Sequence, residues 1–183
     1  MSFATGLFVF VFGAALGSFI NVLGLRYTPR SGFNPAFRGR SKCPKCRKKL
    51  AWYELIPIVS FVIQFGRCRG CRKKISLQYP VVELIAGVLV WGAVLKIGIN
   101  PIGIIWSLAL LTLLLISIVD LRTKLIPDSL VLILIGLGIA SIIFRYLIGQ
   151  LGESIPDIEG INLLGHYSLI LRFGVGQLIN HVV

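Results

Sequence analysis

Charged residues are scarce in this sequence. They make up 14% of the 183 residues, whereas hydrophobic residues make up 56%, and the mean hydropathy is +0.87. Globular domains carry about 25% charged residues, so this composition excludes a soluble domain of average usage and predicts several membrane spans. The first apolar run has no basic segment before it and extends far before its first arginine, so we expect no cleavable signal peptide.

Long apolar runs predict an all-α polytopic membrane protein. The run Phe3–Leu25 has 23 residues, enough at 1.5 Å per residue to cross a hydrocarbon core of about 30 Å. Gly13 and Gly17 place small residues at helical spacing in it, which would let another helix approach closely. Two further spans are predicted at Val81–Leu95 and Pro101–Val119, and residues 126–128 lead into a fourth that ends near Leu147. A polar turn is predicted at 120–125 and a partial fifth helix at Phe173–Val183.

Acidic residues are fewer than basic ones, seven against 19, and the basic residues are clustered. Between Arg26 and Lys74 lie 14 of the 19 Lys and Arg, beside apolar segments. The positive-inside rule therefore places this stretch in the cytoplasm and the N-terminus outside, and we expect no nucleic-acid partner. The basic residues 38–49 would contact acidic lipid headgroups or a substrate, with lipid the favoured interpretation.

Cysteine is absent outside two Cys-x2-Cys knuckles separated by 21 residues: Cys43 with Cys46, and Cys68 with Cys71. Two such hooks supply the four thiolates of a tetrahedral structural zinc site. A pair of disulfides is the alternative, disfavoured by the basic, cytoplasmic setting. The apolar insert 50–65 between the knuckles would lie in the membrane interface or against other helices, or would form the core of a small zinc domain. We find no internal repeat.

Two of the acidic residues in or beside the predicted spans are candidates for a functional role. Asp120 sits where an apolar helix meets the cytoplasmic boundary, and partial desolvation there would suit a carboxyl group to proton transfer. The alternative is an aspartate that caps a helix end. Glu83 would either sit at the headgroup level or act as the partner of a ligand or cationic substrate.

A series of motifs runs in one order from residue 1 to about residue 130. They are Gly17-Ser-Phe-Ile-Asn-Val22, Arg26, Arg40-Ser-Lys-Cys-Pro-Lys-Cys46, Leu50, Trp52, Pro57, Ser60, Gly66-Arg-Cys-Arg-Gly-Cys71, Ile75-Ser76, Tyr79-Pro80, Glu83 and Asp120-Leu-Arg-Thr-Lys-Leu-Ile-Pro-Asp128. This order resembles the N-terminal portion of the bacterial type IV prepilin peptidases. The resemblance divides the chain into a first transmembrane helix at 1–25, a cytoplasmic four-cysteine zinc loop at 26–79 associated with methyl transfer, and a truncated aspartic peptidase membrane domain at 80–183.

The resemblance implies an inner-membrane aspartic peptidase that removes the leader peptide of prepilins and pseudopilins, and so serves type IV pili and protein secretion. It also implies N-methylation of the new N-terminus with S-adenosylmethionine, a structural zinc on the four cysteines, and Asp120 as one of two catalytic carboxylates. The family's second aspartate belongs to a Gly-x-Gly-Asp motif that is absent from these 183 residues. Gly174-Val-Gly-Gln177 imitates its start, but glutamine cannot exchange a proton, and topology puts both Gln177 and Asp157 near the outer face.

We therefore expect the chain to be an incomplete fragment without peptidase activity. Two other functions stay open from the residues alone. One is a membrane-anchored zinc-binding module for interaction or assembly, in which Asp120 is structural. The other is a small transporter or channel subunit that uses Glu83 and Asp120 along a polar path, which would require acidic residues facing each other within the bilayer.

Overall fold

A computed structural model describes residues 2–30, 32–33 and 41–153, with side chains described up to Ile148. The chain divides after Leu137 into two compact units; of the second, the description covers only a helical stretch that ends at Glu153. The predicted partial fifth helix Phe173–Val183, Asp157 and Gln177 lie outside the described residues. The three-part domain division stays a prediction.

The described residues form helices joined by short irregular segments, with isolated β-bridges and no β-strand. The helices are α1 (Phe3–Arg26), a short 3₁₀ helix (Trp52–Leu55), α2 (Val59–Ile63), α3 (Gln78–Ile97), α4 (Pro101–Thr123) and α5 (Asp128–Glu153). Four of them, α1, α3, α4 and the stretch Asp128–Ile148 of α5, are long and apolar enough to cross a membrane. The predicted all-α membrane fold with four spans is therefore confirmed.

All four long helices differ from the prediction at one end or both. α1 ends one residue later than predicted, at Arg26, and α5 continues to Glu153 rather than ending near Leu147. α3 begins three residues early, at Gln78, because Pro80 falls in its first turn, where a missing N–H breaks no helical hydrogen bond. α4 continues through Thr123, so the predicted polar turn at 120–125 is wrong for its first four residues. No glycine or proline interrupts the helix there; it ends at Lys124, whose φ of 57° is left-handed.

α1 packs against α3 in the antiparallel direction, and glycines let the two backbones approach. A Cβ placed on Gly13 would lie 2.9 Å from the Cβ of Val90, and one on Gly17 would lie 2.4 Å from the Cβ of Ala86. Near the end of α1, the fully buried Asn21 accepts a hydrogen bond of 3.1 Å from Gln78 at the start of α3. The predicted close approach of another helix to Gly13 and Gly17 is thus confirmed.

α4 completes the core of the first unit. A Cβ on Gly24 would lie 2.6 Å from Cγ2 of Ile118, so the end of α1 lies beside the end of α4 as well as the start of α3. The core consists of buried apolar side chains from these helices and the start of α5: Ile20, Leu23, Val82, Ala86, Val90, Leu111, Leu115, Ile118, Val119 and Leu130. The cysteine loop and the turn after α4 consequently leave the helices at the same end.

Candidate metal centre and active site

The two cysteine knuckles have the same backbone geometry. In the first, the N–H of Cys43 donates to the carbonyl of Lys48 and the N–H of Arg47 donates to the carbonyl of Cys43, both at 2.9 Å. The knuckle at Cys68 repeats both bonds, at 3.0 and 2.8 Å. The residue after each second cysteine, Arg47 or Arg72, is left-handed, with φ of 60° and 55°. The two knuckles, each Cys-x2-Cys-Arg-Lys-Lys at 43–49 and 68–74, therefore form a short repeat in sequence and in backbone geometry, contrary to the prediction of no internal repeat.

The knuckles bring the four sulfur atoms together. All four Sγ atoms of Cys43, Cys46, Cys68 and Cys71 lie within 4.8 Å of one another. Across the two knuckles, Cys43 and Cys71 are 4.0 Å apart and Cys46 and Cys68 are 3.9 Å apart. Zn–S bonds of about 2.3 Å in a tetrahedron separate sulfurs by about 3.8 Å. The four cysteines are free thiols rather than disulfides and could bind a metal such as zinc.

The electrostatics of the thiols favour a bound cation. The backbone N–H groups of Cys46 and Lys45 lower the pKa of Cys43 to about 6. The N–H of Lys48 lowers the pKa of Cys46, but desolvation and the neighbouring thiols outweigh it and raise that pKa to about 11. Four thiolates this close repel one another, so they would not all ionise at neutral pH without a divalent cation.

The 3₁₀ helix between the knuckles is tied to both of them. The buried Glu54 carboxylate accepts hydrogen bonds from the N–H of Ala51 at 2.9 Å and from Nζ of Lys48 in the first knuckle at 3.3 Å. The hydrogen bond from the Ala51 N–H, and to a smaller extent the Lys48 ammonium group, hold the pKa of Glu54 below its usual range. Arg69 of the second knuckle stacks over the ring of Tyr53 at 5.2 Å. The insert therefore contributes part of the interior of the cysteine loop.

Glu83 has a role that the sequence did not indicate. Its side chain is buried, and its Oε2 accepts a hydrogen bond of 2.7 Å from the backbone N–H of Ile58 in the insert. Ile58 has φ 61° and ψ −52°, and the N–H of Val59 donates to the carbonyl of Pro57 at 2.5 Å, which defines a strained γ-turn. Glu83 thus links the cysteine loop to α3, and the two residues lie too far apart in sequence for any periodic pattern to have paired them.

Asp120 lies in the last turn of α4, at the end of the helices from which the cysteine loop also leaves. It is half-buried, and its carboxylate makes no hydrogen bond or ion pair with another residue of the described ranges. A carboxylate at the C-terminal end of a helix also faces the negative end of the helix dipole. This position gives Asp120 no capping role. Asp128, in contrast, is exposed at the first residue of α5, where the dipole favours negative charge.

Comparison with known proteins assigns this arrangement to a family. Residues 11–97, which include all four cysteines and Glu83, match the family model described as "Bacterial Peptidase A24 N-terminal domain". A protein of Bacillus subtilis (strain 168), named prepilin leader peptidase/N-methyltransferase, is 31% identical over 172 residues, which cover 92% of this chain and 66% of that relative. The chain belongs to the prepilin leader peptidase/N-methyltransferase family. A match over so much of the chain necessarily includes Asp120.

Other members of the prepilin leader peptidase/N-methyltransferase family match over shorter ranges. The relative from Klebsiella pneumoniae is 40% identical over 144 residues, 75% of this chain and 61% of its own length. The relative from Myxococcus xanthus (strain DK1622) is 37% identical over 136 residues, 73% of this chain and 39% of its own length. The chain thus spans less than two thirds of the length of these relatives. No solved structure matches it.

Proposed function

We propose that this chain carries the cysteine loop and one of the two catalytic carboxylates of a membrane aspartic peptidase. That enzyme would remove the leader peptide of type IV prepilins and pseudopilins at the cytoplasmic face of the inner membrane. The observation that supports this proposal most is Asp120. The chain belongs to this family, and its Asp120 carboxylate is half-buried without a stabilising partner among the described residues. It lies at the end of the helices from which the cysteine loop also leaves.

Peptide hydrolysis by carboxylates requires a pair. One carboxylate accepts a proton from water as the water attacks the scissile carbonyl, and the other, protonated, donates a proton to the leaving amine. Two carboxyl groups that share a site acquire different pKa values, which lets one remain protonated while the other is ionised. Asp120 supplies one member. Because the 183 residues contain no Gly-x-Gly-Asp motif, we expect the other from residues beyond this sequence.

The four cysteines would hold a structural zinc ion. Four thiolates fill the tetrahedral coordination of zinc and leave no open position for water, so the metal would stabilise the loop rather than hydrolyse the peptide. The name of the relatives also supports N-methylation of the new N-terminus. In that reaction the terminal amine would take the methyl group from the sulfonium of S-adenosylmethionine, releasing S-adenosylhomocysteine and a proton.

The proposed orientation puts the N-terminus outside and both the cysteine loop and Asp120 in the cytoplasm. The clustering of 14 of the 19 basic residues between Arg26 and Lys74 supports it. The competing function, a zinc-binding assembly module without catalysis, leaves Asp120 without a role. The hydrogen bond that Glu83 accepts from the backbone of Ile58 gives this residue a structural partner, which argues against the transporter alternative.

A cleavage assay on the purified 183-residue chain tests the proposal that Asp120 is one of two catalytic carboxylates and that this sequence lacks the other. With zinc bound and a prepilin peptide supplied, we expect no processing, because one carboxyl group cannot be ionised to accept the proton of the attacking water and protonated to donate another at the same time. Processing that disappears in Asp120→Asn would show that a second acid lies within this sequence. Processing that persists in Asp120→Asn would refute the role of Asp120 itself.

A further inference from the structure

The insert between the knuckles exposes an apolar surface that its own loop does not cover. We call the insert surface the set of exposed side chains Trp52, Leu55, Val59, Val62, Ile63 and Phe65. Trp52 and Leu55 are three residues apart in a 3₁₀ helix, and Val59, Val62 and Ile63 follow the i, i+3, i+4 spacing of one face of α2. Phe65 is 90% exposed and Trp52 is 78% exposed. Exposed apolar surface of this kind marks an interaction site.

The insert surface is held beside a helix that spans the membrane. Glu83, which binds the N–H of Ile58, lies five residues into α3, about 7.5 Å along the helix at 1.5 Å per residue. At this level α3 exposes Val81, Leu84 and Ile85, so α2 starts where the side chains of the span are apolar. Because α2 begins at Val59, directly after the γ-turn at Ile58, the hydrogen bond to Glu83 places the start of α2 at this height along α3.

The loop around the insert surface is strongly basic. Residues 41–77 contain ten Lys and Arg and one acidic residue, Glu54. All ten basic residues are exposed, whereas Glu54 is buried and bound to Lys48. A tetrathiolate zinc site would add two negative charges and would still leave the loop positive. Basic side chains around exposed aromatic and aliphatic groups match an anionic headgroup layer above an apolar acyl layer.

We propose that the insert surface enters the headgroup region of the membrane that α1, α3 and α4 span, and that anionic phospholipids bind the surrounding Lys and Arg. Apolar exposure alone would equally suit a second copy of this chain. The charge favours the membrane over a second copy. Two copies would bring two basic loops together, and these would repel each other, whereas anionic lipid would neutralise the basic side chains. Trp52 would then lie at the depth that tryptophan favours in membrane proteins. This inference does not depend on peptidase activity.

The fluorescence of Trp52 tests this proposal in the full 183-residue chain, loaded with zinc and reconstituted in lipid nanodiscs. The substitutions Trp91→Phe and Trp106→Phe leave Trp52 as the sole tryptophan. With anionic phosphatidylglycerol present, and bromine placed near the headgroup end of the acyl chains, we expect blue-shifted, strongly quenched emission. In discs of phosphatidylcholine alone, the blue shift and the quenching should be smaller.

Matched variants separate the charge from the apolar contact. Lys49→Gln with Lys74→Gln should reduce quenching in anionic discs, whereas Lys96→Gln, in the last turn of α3 away from the loop, should leave it unchanged. Phe65→Ser should reduce quenching in both lipids. Zinc content, measured for every variant, should stay at the wild-type value, since none of these exposed side chains belongs to the cysteine cluster.

Three results would overturn the proposal. Trp52 emission could stay red-shifted and accessible to iodide in both lipids, which would mean that the insert surface faces water. Protection of Trp52 from iodide could rise with the number of chains per disc, which would identify a second copy as the molecule that covers the insert surface. Equal quenching in anionic and zwitterionic discs, unaffected by Lys49→Gln with Lys74→Gln, would remove the role of anionic lipid.

Discussion

Replacing Gly17 by alanine would test the packing of α1 on α3, which sets the relative position of the cysteine loop and α4. The new Cβ would lie 2.4 Å from the Cβ of Ala86 and 3.1 Å from the carbonyl oxygen of Val82. Ordinary contact begins at 3.4 Å, so the helices must separate by about 1 Å. Overpacking of this kind lowers the free energy of unfolding by about 1–3 kcal/mol.

Gly92→Ala is the matched control, because no neighbouring atom of the described residues, apart from the backbone of α3 itself, lies within 4 Å of the Cβ position at Gly92. Both substitutions gain about 0.5–1 kcal/mol of helix propensity, so the difference between them isolates the clash. Reversible unfolding of the zinc-loaded chain in mixed micelles, with increasing SDS, would measure this difference. Adding Ala86→Gly removes the clashing methyl group and should restore part of the stability of Gly17→Ala. If Gly17→Ala is as stable as Gly92→Ala, the close approach of α1 and α3 is refuted.

Three further substitutions test the loop. Cys68→Ser should remove one thiolate and lower zinc retention in the presence of a chelator, measured by metal analysis; unchanged retention would contradict the four-thiolate site. Glu83→Ala should speed hydrogen exchange at the Ile58 amide, whereas Glu83→Gln, which keeps an acceptor oxygen, should do so less; equal rates in wild type and Glu83→Ala would contradict the link. Glu54→Gln should destabilise the loop by about 1–3 kcal/mol near neutral pH. Because the folded-state pKa of Glu54 is lowered, the stabilisation is present above the unfolded-state pKa and is lost as the pH falls through the folded-state value. Denaturation of the wild type and of Glu54→Gln across this pH range should show the difference between their free energies of unfolding shrinking as the pH falls. A difference that stays constant would contradict the role of the ionised Glu54.

The spans and the cysteine knuckles could be predicted because their signals are local. An apolar run long enough to cross a bilayer and a Cys-x2-Cys spacing each depend on neighbouring residues alone. The end of α4 was predicted less accurately than the spans, because the polar residues Asp120, Arg122 and Thr123 suggest a turn. None of them breaks a helix, and the helix continues until Lys124 adopts a left-handed conformation.

The contacts that join the loop to the helices could not be predicted from the sequence. Glu83 finds its partner in the backbone N–H of Ile58, and a backbone group carries no residue-specific signal. Asn21 is a polar residue in an apolar run, but nothing local in the sequence identifies Gln78 as its partner. Asp120 was identified as a candidate acid from its position at the end of a span, and its catalytic role stays a prediction.

The most direct test of the central claim is prepilin cleavage by a hybrid chain. The hybrid joins this sequence to the part of the Bacillus subtilis relative that it does not cover. We predict cleavage by the hybrid, a loss of at least about 100-fold in Asp120→Asn, as expected for removing a general acid or base, and near-normal activity in Asp128→Asn, since asparagine also serves at a helix start. Cleavage by an active hybrid that survives Asp120→Asn would contradict the account.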